Sequence, residues 1–154
     1  MRVMELHSPV RLIQRSKGQS ATAAAAYRSG SKIYDQRTGE THDYTRKKGI
    51  EFETLLFPMD APEHIEDRQS LWNAAELKEN RKNSQTARDL EISFPAEFSF
   101  EQRREAGLTI GSLLIDRYGV AADLCWHQPS KKGDERNFHL HVLFTTRKFE
   151  QGDW

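Results

Sequence analysis

Apolar and polar residues alternate at period two in several stretches of the chain, and each reads as a strand with one buried face. In "RDLEISFP" (88–95), Leu90, Ile92 and Phe94 point one way and Asp89, Glu91 and Ser93 the other. In "ADLCWH" (122–127) the sets are Ala122, Leu124 and Trp126 against Asp123, Cys125 and His127. In "FHLHVLFTT" (138–146), Phe138, Leu140, Val142 and Phe144 oppose His139, His141, Leu143 and Thr145. "PVRLIQ" (9–14) and "EFETLLFP" (51–58) add two further strands, the second ending at Pro58. Helical signals interleave with these. Ser20 is an N-cap for "ATAAAAYRS" with Gly30 as its stop. "RQSLWNAAELKENR" has helical spacing at Leu71, Trp72 and Ala75. "SFEQRREAGLTIGSLLIDRYG" opens on Ser99, has Gln102 in capping-box position and closes at Gly119. Residues 31–50, with a "TGE" turn and many polar groups, predict an irregular hairpin or mobile loop. Strands mixed with helices predict an α+β fold, an antiparallel-rich central sheet with helices packed on one face.

If the polar loop "QPSKKGDERN" closes an antiparallel hairpin, the apolar sets of its two strands align on the core side, and His127 joins His139 and His141 on the opposite face. Three imidazoles on one patch can converge on a single divalent cation. Three neutral ligands leave coordination positions open, as in a catalytic site rather than a closed structural one. Imidazole ligation favours late transition metals by affinity, although magnesium or manganese is what a cell more readily supplies. Asp89 and Glu91 fall on the same face of a strand of their own, where carboxylates and histidines can meet.

Composition narrows the class. The 154 residues suit one domain, with 36% hydrophobic and 30% charged residues, a globular balance. No segment is apolar for long enough to span a bilayer, and the N-terminus lacks the unbroken apolar core of a secretory signal. Cys125 is the only cysteine, so no intramolecular disulfide can form. The net charge is zero, yet residues 1–50 hold ten Lys or Arg against four Asp or Glu, leaving the remainder with thirteen against nineteen. The basic first third is the side expected to face a polyanion. Arg15, Lys17, Arg28, Lys32, Arg46, Lys47 and Lys48 are its candidate phosphate contacts, joined by Lys131, Lys132 and Arg136 in the histidine hairpin. Tyr34 and Tyr44 are candidates for stacking on bases. Tyr27 lies on the alanine-rich helix with only Ala23, Ala24, Gly30 and Ser31 three and four positions away, so nothing bulky blocks an approach to its hydroxyl. The alternative for Tyr27 is a core aromatic on a tightly packed helix.

Four segments in order carry a resemblance: "RSKGQSATAAAAYRSG", "GETHDYTRKKG", "LWNAAELKENRKNSQTARDLEISFP" and "WHQPSKKGDERNFHLHVLFTTR". They closely resemble the MobA/MobL (MobQ-type) family of plasmid mobilisation relaxases, members of the HUH endonuclease superfamily, over nearly the whole chain. Two departures are visible: the acidic strand ends in "FP" where the family has "LP", and Phe138 stands where relatives usually have proline. The resemblance implies a palm-like HUH relaxase architecture, a circularly permuted ferredoxin or RRM-like sheet, as a single nicking domain over residues 1–154. It further implies that this is the N-terminal part of a longer mobilisation protein.

The activity so implied is site- and strand-specific nicking of single-stranded origin-of-transfer DNA for conjugative transfer. Tyr27 would be the nucleophile and His127, His139 and His141 the ligands of a divalent metal ion, Mn2+ or Mg2+. Asp89 or Glu91 would assist the tyrosine or orient a ligand histidine. The product would be a 5′-phosphotyrosyl intermediate. Relaxosome accessory proteins and a conjugative coupling protein are the implied partners, and the bacterial cytoplasm the implied compartment. Two other readings stay open on the residues themselves: a three-histidine hydrolase using activated water, and a non-catalytic module that binds single-stranded nucleic acid.

Overall fold

The computed structural model describes residues 5–6, 10–130, 137–150 and 154. Strands β1 (Glu5–Leu6), β2 (Arg11–Gln14), β5 (Ile50–Leu56), β6 (Gln85–Ser93), β7 (Ala122–His127) and β8 (His139–Phe144) build one sheet, and β3 (Lys32–Tyr34) with β4 (Thr41–Asp43) a separate hairpin. The helices are α1 (Ala21–Ser29), α2 (Arg68–Lys78) and α3 (Phe100–Tyr118). The sheet runs β6–β8–β7–β5, with β1 and β2 both added to the outer edge of β6, and every pairing is antiparallel. The α+β class and the antiparallel sheet are those expected from the period-two pattern, and the polar segment 31–50 is the hairpin β3–β4. No helix among the described residues is long and apolar enough to cross a membrane.

The helix ends follow the local signals. Ser20 accepts from the Ala23 backbone N–H, Asp67 from that of Ser70, and Ser99 with Gln102 forms a full capping box. Gly30 ends α1 in the left-handed region at φ 66°, a conformation that favours glycine.

The placement of the helices corrects one expectation. They do not share a face: α3 covers one side of the sheet, α1 and α2 the other. Leu90, Ile92, Leu124, Trp126, Leu140, Val142 and Phe144 form the α3 core, and partly buried Ala106, Leu108, Ile110 and Leu114 of the helix pack on it. On the other face Leu143, Ala87 and Ile13 pack with the alanines of α1 and with Leu71, Trp72 and Ala75 of α2. The physical reason is that the histidine-bearing face is not uniformly polar. Leu143 and Ala87 lie on it, and burying them requires a helical cover of their own.

That second cover is held by charge as well as by apolar contact. Glu76 of α2 is fully buried and accepts from the Ala21 backbone N–H at the start of α1 (2.7 Å) and from Arg15 Nη2 (2.9 Å). A carboxylate at a helix N-terminus also meets the positive end of the helix dipole. Asp123 of β7 is buried beneath α2, where it accepts from Arg68 Nε (2.8 Å) and Nη2 (2.9 Å) and from Trp72 Nε1 (2.9 Å). Desolvation works against the Arg68 cation, but the Asp123 carboxylate more than offsets it and drives the guanidinium further into its charged form. The hairpin is anchored in turn: the buried Asp35 accepts from Thr22 Oγ1 of α1 at 2.6 Å and from the Arg37 and Thr38 backbone N–H groups at 2.9 and 3.1 Å.

Candidate functional site

The histidines lie on the α1/α2 face of the sheet, His127 buried and His139 and His141 partly buried. His127 and His139 are cross-strand partners on β7 and β8, and His141 faces Cys125 on one side and Glu91 of β6 on the other. Side chains opposite each other in an antiparallel pair share a face, so this register alone gathers the three rings. Their centroids are 5.1 Å (127–139), 4.9 Å (127–141) and 5.2 Å (139–141) apart. One potential ligand atom from each lies within 4.8 Å of the others.

Each ring has an oxygen behind it. His127 Nε2–H donates to the Arg28 backbone carbonyl at 2.7 Å, which leaves its lone pair on Nδ1. His139 Nδ1–H donates to the Asn137 carbonyl at 3.2 Å, which puts its lone pair on Nε2. His141 Nδ1, buried and without a hydrogen bond, faces Asp89 Oδ1 at 3.5 Å. Oxygens behind the rings that set tautomer and orientation are what a metal-binding histidine set needs. Burial, the strongest influence, lowers the His127 pKa to about 3. The Arg28 carbonyl opposes this shift, whereas His141, Lys47 and His139 reinforce it. His127 is therefore a neutral imidazole at neutral pH, the state that donates a lone pair. Three imidazoles brought together, two of them with tautomers set by backbone carbonyls, fit a divalent cation.

The two acids part company in the structure. Asp89 is buried and takes both Arg28 Nε (3.1 Å) and Nη2 (2.9 Å) in a bidentate pair. Burial works against its charge most strongly, but His141 and the Arg28 guanidinium outweigh that and hold its pKa down to about 2. Glu91 Oε1 instead lies 3.9 Å from His139 Nε2 and 3.8 Å from His141 Nε2.

Tyr27 lies in the last turn of α1, next to the residue whose carbonyl receives His127. It is 51% exposed, which rules out the core-aromatic alternative. Its ring meets that of Tyr44 edge-on, with centroids 5.1 Å apart, and the Lys47 ammonium sits 3.5 Å above its centre.

Of the expected phosphate contacts, two are paired within the chain. Arg15 is turned inward, where Nη1 donates to the Glu79 carbonyl (2.9 Å) and Nη2 to the carbonyl and carboxylate of Glu76 (both 2.9 Å), closing the C-terminus of α2. Arg28 is consumed by Asp89 and by the Ala24 carbonyl (3.2 Å), so its charge is neutralised locally. Both look like surface cations in the chain because their acidic partners lie 61 residues away. Lys17, Lys32, Arg46, Lys48 and Tyr34 are exposed. Lys131, Lys132 and Arg136 lie outside the described residues. Arg11, which no local motif marks, joins Lys17 along a cleft of about 400 Å3 between β2 and α1 that ends on the Arg28–Asp89 pair.

Residues 19–154 match the model of the MobA/MobL family. "Mobilization protein MobL" of Acidithiobacillus ferridurans is 44% identical over 160 residues, covering 90% of this chain and 42% of that protein. "Conjugal transfer protein TraA" of Rhizobium radiobacter is 33% identical over 151 residues, covering 92% of this chain and 13% of its own length. The chain thus spans less than half the length of these relatives. Among solved structures, a chain described under "Molecular Basis of Vancomycin Resistance Transfer in Staphylococcus aureus" superposes with a TM-score of 0.82 at 32% identity, over 97% of this chain and 76% of that one.

Proposed function

This chain belongs to the MobA/MobL family, and from that membership and the geometry of the histidine-bearing sheet face we propose that it is a metal-dependent, tyrosine-nucleophile DNA nickase of plasmid mobilisation. Its substrate is single-stranded origin-of-transfer DNA, handled together with accessory proteins and a coupling protein of conjugation. The observation that carries the reading is the link between helix and cluster: His127 donates to the carbonyl of Arg28, the residue directly after the exposed Tyr27, with His139 and His141 closing the patch.

In the proposed reaction, Tyr27 Oη attacks the scissile phosphorus and the bond to the 3′-oxygen breaks. One strand end becomes a 5′-phosphotyrosyl diester and the other leaves as a free 3′-hydroxyl after taking up a proton. His127, His139 and His141 would hold a divalent ion that, when bound, supplies charge neutralisation for the phosphate oxygens. A phenol titrates near pH ~10, so Tyr27 needs a proton acceptor at neutral pH. Both Asp89 oxygens are engaged by Arg28, so the assignment falls to Glu91, with Asp89 keeping His141 in orientation. Because the adduct is itself a phosphodiester, the attack can run backwards, and the same residues rejoin the strand. Among the described residues, Lys17, Lys32, Arg46 and Lys48 are exposed cations available to phosphates, and Arg11 shares a cleft with Lys17.

Single-stranded oligonucleotides tiling the DNA that flanks the gene test this on a denaturing gel. The wild-type chain with Mn2+ should form a covalent adduct, EDTA should stop it, and Tyr27→Phe should form none while binding DNA normally. An adduct with Tyr27→Phe would remove Tyr27 from the chemistry. Cleavage without any adduct would favour water as the nucleophile, and binding without cleavage a non-catalytic module.

A further inference from the structure

Lys47 reaches Tyr27 twice. Its Nζ donates to the Tyr27 backbone carbonyl at 2.7 Å and sits over the Tyr27 ring 3.5 Å from the centroid. The Tyr44 ring abuts the same ring at 89°. Half of Tyr27 is open to solvent, so core packing does not set its orientation; Lys47 and Tyr44 supply the ring contacts. The turn that delivers both is built independently of the lysine side chain. Asp43 Oδ1 accepts from the Thr45 N–H (3.0 Å) and hydroxyl (2.7 Å), the Lys47 N–H donates to the Tyr44 carbonyl (2.9 Å), and the Tyr44 N–H donates to the Ser31 carbonyl at the end of α1 (3.0 Å).

A cation over an aromatic face is attracted by the ring quadrupole, and the attraction grows as water is excluded. This ammonium is half-buried, while its neighbours Arg46 and Lys48 project into solvent. Its Nζ is engaged by the Tyr27 carbonyl and the Tyr27 ring. We infer that Lys47 is a positioning residue for the Tyr27 nucleophile, clamping its ring and carbonyl, and not a contact to the DNA backbone; this rests on the nicking role proposed for Tyr27. In-line displacement at phosphorus depends on the angle and distance of the attacking oxygen, and a misplacement of about 1 Å can cost about 100-fold in rate. A ring held on one face and one edge keeps that oxygen on a narrow track.

The experiment separates the single-turnover rate of adduct formation, at saturating oligonucleotide with Mn2+, from the oligonucleotide Kd measured in a Tyr27→Phe background. Lys47→Met should slow adduct formation by about 10- to 100-fold with Kd changed less than twofold. Lys47→Arg, which can stack and donate in the same place, should recover most of the rate. Lys47→Gln can still donate to the carbonyl but puts no charge over the ring, so it should fall between them, and it serves as the test if the Met variant melts early. A weaker Kd with an unchanged saturated rate would make Lys47 a phosphate contact and overturn the inference, as would no change in either. A wild-type chain that forms no adduct would sink the nicking reading and this inference together. A wild-type adduct matched in rate by both Lys47→Met and Lys47→Gln would sink the inference alone.

Discussion

The two faces of the sheet are made from the same strands, residue by residue in alternation, yet they are solved differently. The α3 face is packed mainly by apolar side chains around an ion pair, Arg103 of α3 with Glu51, and the helix comes close. Gly107 and Gly111 leave room there, since a Cβ at Gly107 would fall 2.4 Å from the Trp126 ring and one at Gly111 2.8 Å from Leu56 Cδ1. Two glycines inside a helix weaken it by about 1 kcal/mol each, and the close packing they permit offsets that. The α1/α2 face is held by buried charges in pairs, Arg15–Glu76, Arg68–Asp123 and Arg28–Asp89. One face is packed mainly by apolar contact; the other combines an apolar core with hydrogen-bonded charges around the three histidines.

The comparison can be broken by one substitution on each face. His139→Ala should abolish adduct formation, by about 1,000-fold or more, while changing stability by less than about 1 kcal/mol. Trp126→Ala should cost about 3–5 kcal/mol and lose activity only by unfolding. Denaturant melts set beside the gel assay check both, and a His139→Ala chain that unfolds would show the histidine patch to be structural after all. Next in size is Arg15→Ala. It strips a buried carboxylate of one partner and should destabilise by about 2–3 kcal/mol, with no change in the salt dependence of DNA binding beyond that from unfolding. Lys17→Ala should do the reverse, with stability within about 0.5 kcal/mol and a salt slope lower by about 1.

Gly107→Ala sharpens the picture of the α3 face. The helix gains about 1 kcal/mol from alanine, but the collision with a rigid indole should leave a net loss of about 2 kcal/mol in a urea melt. A further effect concerns acid. Asp89 has its carboxyl near about 2 in the folded chain against roughly 3.9 unfolded. The unfolded state therefore binds the proton first as pH falls. The stabilisation from this depressed value, about 2.6 kcal/mol, is complete above roughly pH 5 and is lost as pH falls through about 2. Melts in EDTA should show the gap between wild type and Asp89→Asn shrinking by most of that amount, about 1.8 kcal/mol, from about pH 6 to about pH 2.5, and a gap that widens toward acid would reverse the assigned role of the pair.

Much of the site was legible without coordinates because strand alternation is a strict period. Placing His127, His139 and His141 on one face, opposite Leu124, Leu140 and Val142, needed only the parity of positions and a hairpin, and the register His127↔His139 is the one that parity requires. The helix caps at Ser20, Ser99 and Gly119 are equally local. What parity could not say was that the polar face would receive two helices. Asp123 and Cys125 read as outward residues and are in fact buried, because α2 brings Arg68 and Trp72 across 55 and 51 residues of chain to satisfy Asp123.

By itself, then, the sequence determined the elements, their ends and the side of the sheet on which each residue falls, since backbone geometry and nearest-neighbour chemistry act over a few residues. Only the tertiary structure decided which charges are spent on one another. Arg15 and Arg28 vanish into buried pairs, Asp89 separates from Glu91, and Lys47 lies across a tyrosine twenty positions earlier. Such pairings are set by where packed helices bring distant side chains out of water, and Coulomb and desolvation energies depend on that distance and burial rather than on position along the chain.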